Sequence, residues 1–232
     1  MNLTPEVLYL GFLWYVVFLF STVCHEAAHA WMAKRLGDST AYLGGQVSLN
    51  PIPHIQREPV GMLLIPWVSY LLGGWMMGWA SVPMDPYWIM RNPKKGSWVS
   101  IAGPLANFAL ALITAIVIRI GVIVGLLRLP SSLSWEGVIA GATPGTEGLA
   151  TFLSLMFSLN LLLGLFNLVP VPPLDGYSAL GLLLPENAAA KLQEWRMEYA
   201  RFSFLGILIA WRLFDTIGFK LFWGFAILIL YT

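Results

Sequence analysis

Charge is what this chain has least of. Only 11% of its 232 residues are Asp, Glu, Lys or Arg, against about 25% in a soluble globular domain. That shortage excludes a water-facing surface over most of the molecule. No basic tract is dense enough to grip a phosphate backbone, so nucleic acid is not an expected partner. Cys24 is the single cysteine, which rules out an internal disulfide and leaves the redox compartment unread. The first segment also lacks the basic n-region and small-residue cleavage site of a removable signal peptide. It is expected to stay in the protein.

What the chain has instead is apolar sequence. Hydrophobic residues make up 58% of it, with a mean hydropathy of +0.72. Residues 7–24, 99–118 and 148–169 carry no charge at all. A bilayer-crossing helix needs about 20 such residues. The expected fold class is an all-α polytopic membrane protein with 4 to 6 transmembrane helices, in a single membrane domain over residues 1–232.

The chain divides accordingly. Residues 7–33 form a first span closed by Lys34 and Arg35. Residues 37–59 carry Gly44-Gly45 and the strand-prone Tyr42, Val47 and Leu49, which predict a small β-hairpin at the membrane surface. Residues 60–90 are apolar but broken by Pro66, Gly73-Gly74 and Gly78, as expected of a re-entrant hairpin. Residues 97–127 and 148–176 are expected to be spans, and residues 186–201 an exposed charged helix. Residues 202–232 fit either an apolar hairpin or one span, broken by Arg212, Asp215 and Lys220.

The polar residues at membrane depth carry the chemistry. Ionisable groups there cost on the order of 2.5–3.5 kcal/mol each to insert, and such residues default to a functional role. The stretch HEAAH places His25 and His29 four apart, one turn along the same helix face, where two imidazoles can share a zinc ion. Glu26 lies on the adjoining rim, able to reach a water without being a ligand, as in zinc peptidases. Cys24 points about 100° away from His25 and reads as packing.

A third ligand is then required. His54 is one candidate. Asp175, the only acid between Glu147 and Glu186, is the better one; prolines 170, 172 and 173 break the helix before it, and Gly176 permits a tight turn after it. An ordinary helix cap is the competing role for Asp175. Asn167 is near enough in sequence to donate to an oxyanion. Asn160 reads as packing, and Asn107 as an interhelical hydrogen bond.

These residues resemble the site-2 protease family of intramembrane zinc metalloproteases. The resemblance rests on HEAAH in a membrane helix, then SLNPIPH, RNPKKG, AGPLAN and NLVPVPPLDG, and covers roughly residues 15 to 180. It implies a three-helix catalytic core with one zinc ion held by His25, His29 and Asp175. It also implies Glu26 as general base, Asn167 assisting the scissile carbonyl, and transmembrane segments of other proteins as substrates. No soluble stretch is long enough for the PDZ or CBS domain of some members. The chain departs from the pattern at HIQREP, where many members read closer to HIDP, which leaves His54 without an assigned role.

Two other classes remain in view: a zinc-binding membrane protein without proteolytic activity, and a metal transporter. The presence of Glu26 favours an enzyme over the first. Clustering of the polar residues at one place, rather than along a path through several spans, disfavours the second. Lys34, Arg35, Arg57, Arg91, Lys94, Lys95, Lys191, Arg196 and Arg201 all fall on one side if residues 60–90 return to the face they left. The positive-inside rule makes that side cytoplasmic, and the site is expected near it. Oligomeric state is not readable from the sequence.

Overall fold

The computed structural model describes residues 4–231. Among them, four stretches of helix are long and apolar enough to cross a membrane: Pro5–Leu36, Pro93–Ile123, Pro144–Asn167 and Ala200–Tyr231, with mean hydropathies from 1.8 to 2.2. The protein is a polytopic all-α membrane protein, as its composition predicts.

Helix α1, Pro5–Leu36, opens with Thr4 as N-cap and Pro5 in the first turn, where a missing N–H is harmless. It stops at Gly37, whose φ of 111° is a left-handed conformation that glycine adopts without strain. Lys34 and Arg35 sit in its last turn, where the helix dipole favours them. At about 1.5 Å per residue, the helix is longer than a hydrocarbon core of about 30 Å.

Residues 37–59 correct the expectation of a β-hairpin. They form two short helices, α2 (Thr40–Leu43) and α3 (Pro51–Arg57). The physical reason is local capping. The Asn50 side chain accepts from the Ile52 N–H at 3.0 Å and Pro51 pre-sets the first turn, so Asn50-Pro51 starts a helix whatever the strand preference before it. The antiparallel strand pair among the described residues lies elsewhere, β1 (Leu127–Arg128) with β2 (Ala140–Gly141), in the loop expected on the opposite side of the membrane.

Residues 60–85 go out as helix and return extended. A π-helical turn, Val60–Leu64, runs into α4 (Ile65–Gly73); Gly74 reverses the chain at φ 80°. The return leg lies against the outgoing one: the Trp79 N–H donates to the Gly61 carbonyl at 3.3 Å, and the Met77 N–H to Ser69 Oγ at 2.9 Å. A Cβ on Gly61 would run into the backbone of Trp79, and one on Gly78 into the Gly61 carbonyl, so both legs need glycine where they touch. The leg is anchored at its far end by Asp38, whose carboxylate accepts from the Asp85 N–H at 2.9 Å.

After α5 (Pro86–Arg91), α6 (Pro93–Ile123) is the second span, beginning before residue 97. Helix α7 (Glu147–Asn167) is the third. The expected span over 148–176 ends nine residues early, at Asn167: Pro170, Pro172 and Pro173 cannot extend a helix, and the chain is irregular until α8 (Asp175–Ala179). Helix α9 (Glu186–Glu198) buries Ala189, Leu192 and Gln193 and exposes the rest of its surface. The last stretch is one span, not a hairpin: α10 (Ser203–Leu213) and α11 (Phe219–Tyr231) are joined by a π turn, Phe214–Gly218.

Helices α1, α6 and α7 pack against one another and form the centre of the molecule. Small residues let them approach, as expected where lipid supplies no hydrophobic drive between helices: Ser21, Ala111 and Ser158 are buried on these helices, and Phe108 lies against Gly164. One apolar cluster joins Ile118, Phe157 and Phe222 towards the 128–147 loop. Another joins Trp14, Phe18, Tyr70 and Met76, tying α4 and its return leg to α1.

Candidate metal centre

Helices α1 and α6 run antiparallel where they meet, and every polar contact of the site follows from that. On α1, His25 and His29 are one turn apart. On α6, Val99, Gly103 and Asn107 are also spaced by four and line the facing stripe. His29 Nδ1 lies 2.7 Å from the Val99 carbonyl oxygen, and His25 Nδ1 lies 2.6 Å from Asn107 Oδ1. Gly103 stands between, and a Cβ there would run into Nε2 of both histidines. The space beside the two imidazoles exists because α6 has no side chain at that point.

Asp175 arrives from the other side. Gly176 makes this possible through closeness, not a left-handed turn: a Cβ on Gly176 would collide with the backbone of Leu168, so the loop folds directly onto the end of α7. Asp175 Oδ2 then lies 3.1 Å from His25 Nε2 and 3.2 Å from His29 Nε2, while the two Nε2 atoms are 3.0 Å apart. Among the described residues, this is the group of His, Cys, Asp and Glu side chains gathered closely enough to hold a metal ion.

The donor set fits a divalent cation. A backbone carbonyl only accepts, so His29 donates from Nδ1 and turns Nε2 inward as the nitrogen free to take a metal. His25 presents Nε2 in the same way. Two imidazole nitrogens and a carboxylate oxygen thus converge on one point, the donor types a divalent cation such as zinc takes. Ligands about 2.0–2.1 Å from a tetrahedral zinc stand about 3.3 Å apart, close to the triangle observed.

Glu26 is 6% exposed and has no hydrogen-bond partner among the described residues. The chargeable groups around it are His25, His29, Asp175 and His54. Cys24 is half-buried and unpaired. His54, on α3, is 1% exposed; its Nε2 lies 3.1 Å from the Ser48 carbonyl, and it is not one of the gathered ligand atoms. Asn167 is turned back on its own helix, its Nδ2 donating to the Leu163 carbonyl at 3.0 Å. Sequence reasoning missed Gly103 and Val99. The first had a visible signal, since AGPLAN spaces Gly103 and Asn107 by one turn; a backbone carbonyl has none.

Residues 13–210 match the family model described as peptidase family M50. The chain belongs to peptidase family M50. This is the site-2 protease family of zinc metallopeptidases, as the motifs predict. Its similar relatives include a Bacillus subtilis (strain 168) protein named "Putative zinc metalloprotease YwhC", 37% identical over 180 residues, covering 77% of this chain and 72% of that one. A Mycolicibacterium smegmatis protein named "Putative zinc metalloprotease Rip2" is 32% identical over 184 residues, 76% of this chain and 60% of its own length. The Mycobacterium tuberculosis (H37Rv) protein of the same name is 32% identical over 162 residues, 70% of this chain and 53% of its own length. The chain thus spans about three quarters of the first of these M50 relatives and little more than half of the others. No solved structure matches it.

Proposed function

We propose that this M50 protein is an intramembrane endopeptidase that hydrolyses peptide bonds in or near transmembrane segments of other membrane proteins. His25, His29 and Asp175 hold one zinc ion. The observation that carries the reading is the convergence of three ligand atoms, 3.0–3.2 Å apart, beside a buried glutamate with no hydrogen-bond partner.

Zinc held there supplies Lewis acidity towards a water and towards the scissile carbonyl. Glu26 accepts the proton of the attacking water and later delivers it to the leaving amine, so one residue serves as base and then as acid. Asn167 swings from the Leu163 carbonyl to donate to the oxyanion; catalytic hydrogen bonds are often unmade before substrate binds.

A substrate span must unwind before its peptide bonds are accessible. With residues 40–43 helical and 44–49 in turns, the non-helical return leg after Gly74 is the backbone available for strand addition. The active site lies towards the end of the bundle bearing Lys34, Arg35, Lys94 and Lys95, and the charge rule assigns that end to the cytoplasm.

The test uses purified full-length protein beside Glu26→Gln and Asp175→Ala, measuring bound zinc and cleavage of transmembrane peptides. The reading expects zinc in wild type and Glu26→Gln, less in Asp175→Ala, and cleavage by wild type alone. A wild-type protein without zinc overturns it.

A further inference from the structure

Asn160 makes no contact with His25, Glu26, His29 or Asp175, and it is completely buried in α7. Its orientation is nevertheless determined. Its side chain lies 2.8 Å from the carbonyl oxygen of Met156, one turn back on the same helix. A carbonyl accepts only, so the amide nitrogen must face it. The same nitrogen donates to Ser21 Oγ at 2.8 Å. Oδ1 of Asn160 is thereby turned towards Asn107, whose Nδ2 donates to it at 2.9 Å. With its nitrogen engaged, Asn107 can offer His25 only its oxygen, and that oxygen lies 2.6 Å from Nδ1.

The result is a relay of buried side-chain hydrogen bonds that starts and ends on α1. It leaves α1 at His25, crosses α6 at Asn107 and α7 at Asn160, and returns to α1 at Ser21, one turn before it began. Each link dictates the next. An acceptor at Nδ1 requires the proton there, which leaves Nε2 bare for a metal. His29 needs no such relay, because the Val99 carbonyl that orients it cannot rotate.

We propose that Asn160 is a positioning residue for the metal centre: acting through Asn107, it selects the His25 tautomer that can bind zinc. The inference rests on the zinc site proposed above and goes beyond it. An amide's oxygen and NH2 are nearly the same size, so Asn107 released from Asn160 can turn over and present its NH2 to His25. The tautomer that satisfies this arrangement carries its proton on Nε2, and the metal must displace that proton to bind.

Zinc affinity of the full-length protein in detergent, measured by competition with a chromophoric chelator, tests this without reference to activity. Asn160→Leu is expected to weaken zinc binding about 10–100-fold, the usual effect of removing a partner behind a histidine ligand. Asn107→Asp offers an acceptor whichever way it turns, so it needs no instruction from residue 160. In the Asn107→Asp background, Asn160→Leu is therefore expected to cause no further loss, although it makes the same change to the packing of α7. An equal loss in both backgrounds would make Asn160 a packing residue and overturn the inference, as would unchanged affinity in Asn160→Leu alone. A wild-type protein that binds no zinc overturns the metal reading itself, an outcome distinguishable from either.

Discussion

Asp175 Oδ2 lies 3.2 Å from His29 Nε2 although most of the chain separates the two residues. The contact is assembled by helix packing: α1 supplies the histidines, α7 carries the loop in, and α6 stands between with a glycine where a side chain would block them. Each contribution can be removed separately.

Replacing Glu26 with Gln keeps the shape of the site and takes away the proton acceptor. Cleavage of a transmembrane peptide is expected to fall by about 10²–10⁴-fold, while zinc content by metal analysis stays at the wild-type level. Loss of zinc in this variant would make Glu26 a ligand.

Gly103→Ala adds one methyl group, and it points into the Nε2 atoms of both histidines. Zinc content is expected to drop well below that of wild type in a protein that still inserts. Gly224→Ala is the natural control, because a Cβ there meets nothing within 4 Å; its zinc content is expected to be unchanged.

The loop bearing Asp175 is held from outside by α10, where a Cβ on Gly206 would run into the Pro172 carbonyl. Gly206→Ala is expected to destabilise the protein by about 1–3 kcal/mol, as overpacking does. The measurement is thermal unfolding in detergent with zinc present, and an unchanged midpoint would show that α10 yields there freely.

Four candidate spans among the described residues put Pro5 and Tyr231 on one side if each crosses once. With the basic loops cytoplasmic, reporters fused at residue 1 and at residue 232 are both expected to read as external. Opposite readings from the two fusions would require the segment from Val60 to Asp85 to cross fully.

Much of this was legible in the sequence because the relevant physics is local. The spacing of His25 and His29 places them on one face of any helix, and the uncharged runs can only be spans. The prolines after Asn167 end α7 wherever it packs. Asp175 emerged by elimination, since few acids lie at membrane depth. What was not legible depends on tertiary contact or on backbone atoms. Nothing in residues 74–85 announces an extended leg; its conformation comes from lying against Gly61. Tyr42, Val47 and Leu49 favour strands individually, but Asn50 and Pro51 decide the local outcome. The bonds of Asn160 to Asn107 and Ser21 were not legible because they depend on how three helices pack.

The order of the chain also sets a schedule. A ribosome delivers His25 and His29 with the first span, and Asp175 only after the third. Until then the two imidazoles have neither their third ligand nor, because Asn107 and Asn160 also come later, the bonds that orient them. On the proposed ligand set, complete metal coordination therefore waits for the third span. On the proposed reading, the enzyme stays unarmed until three of its spans have been inserted.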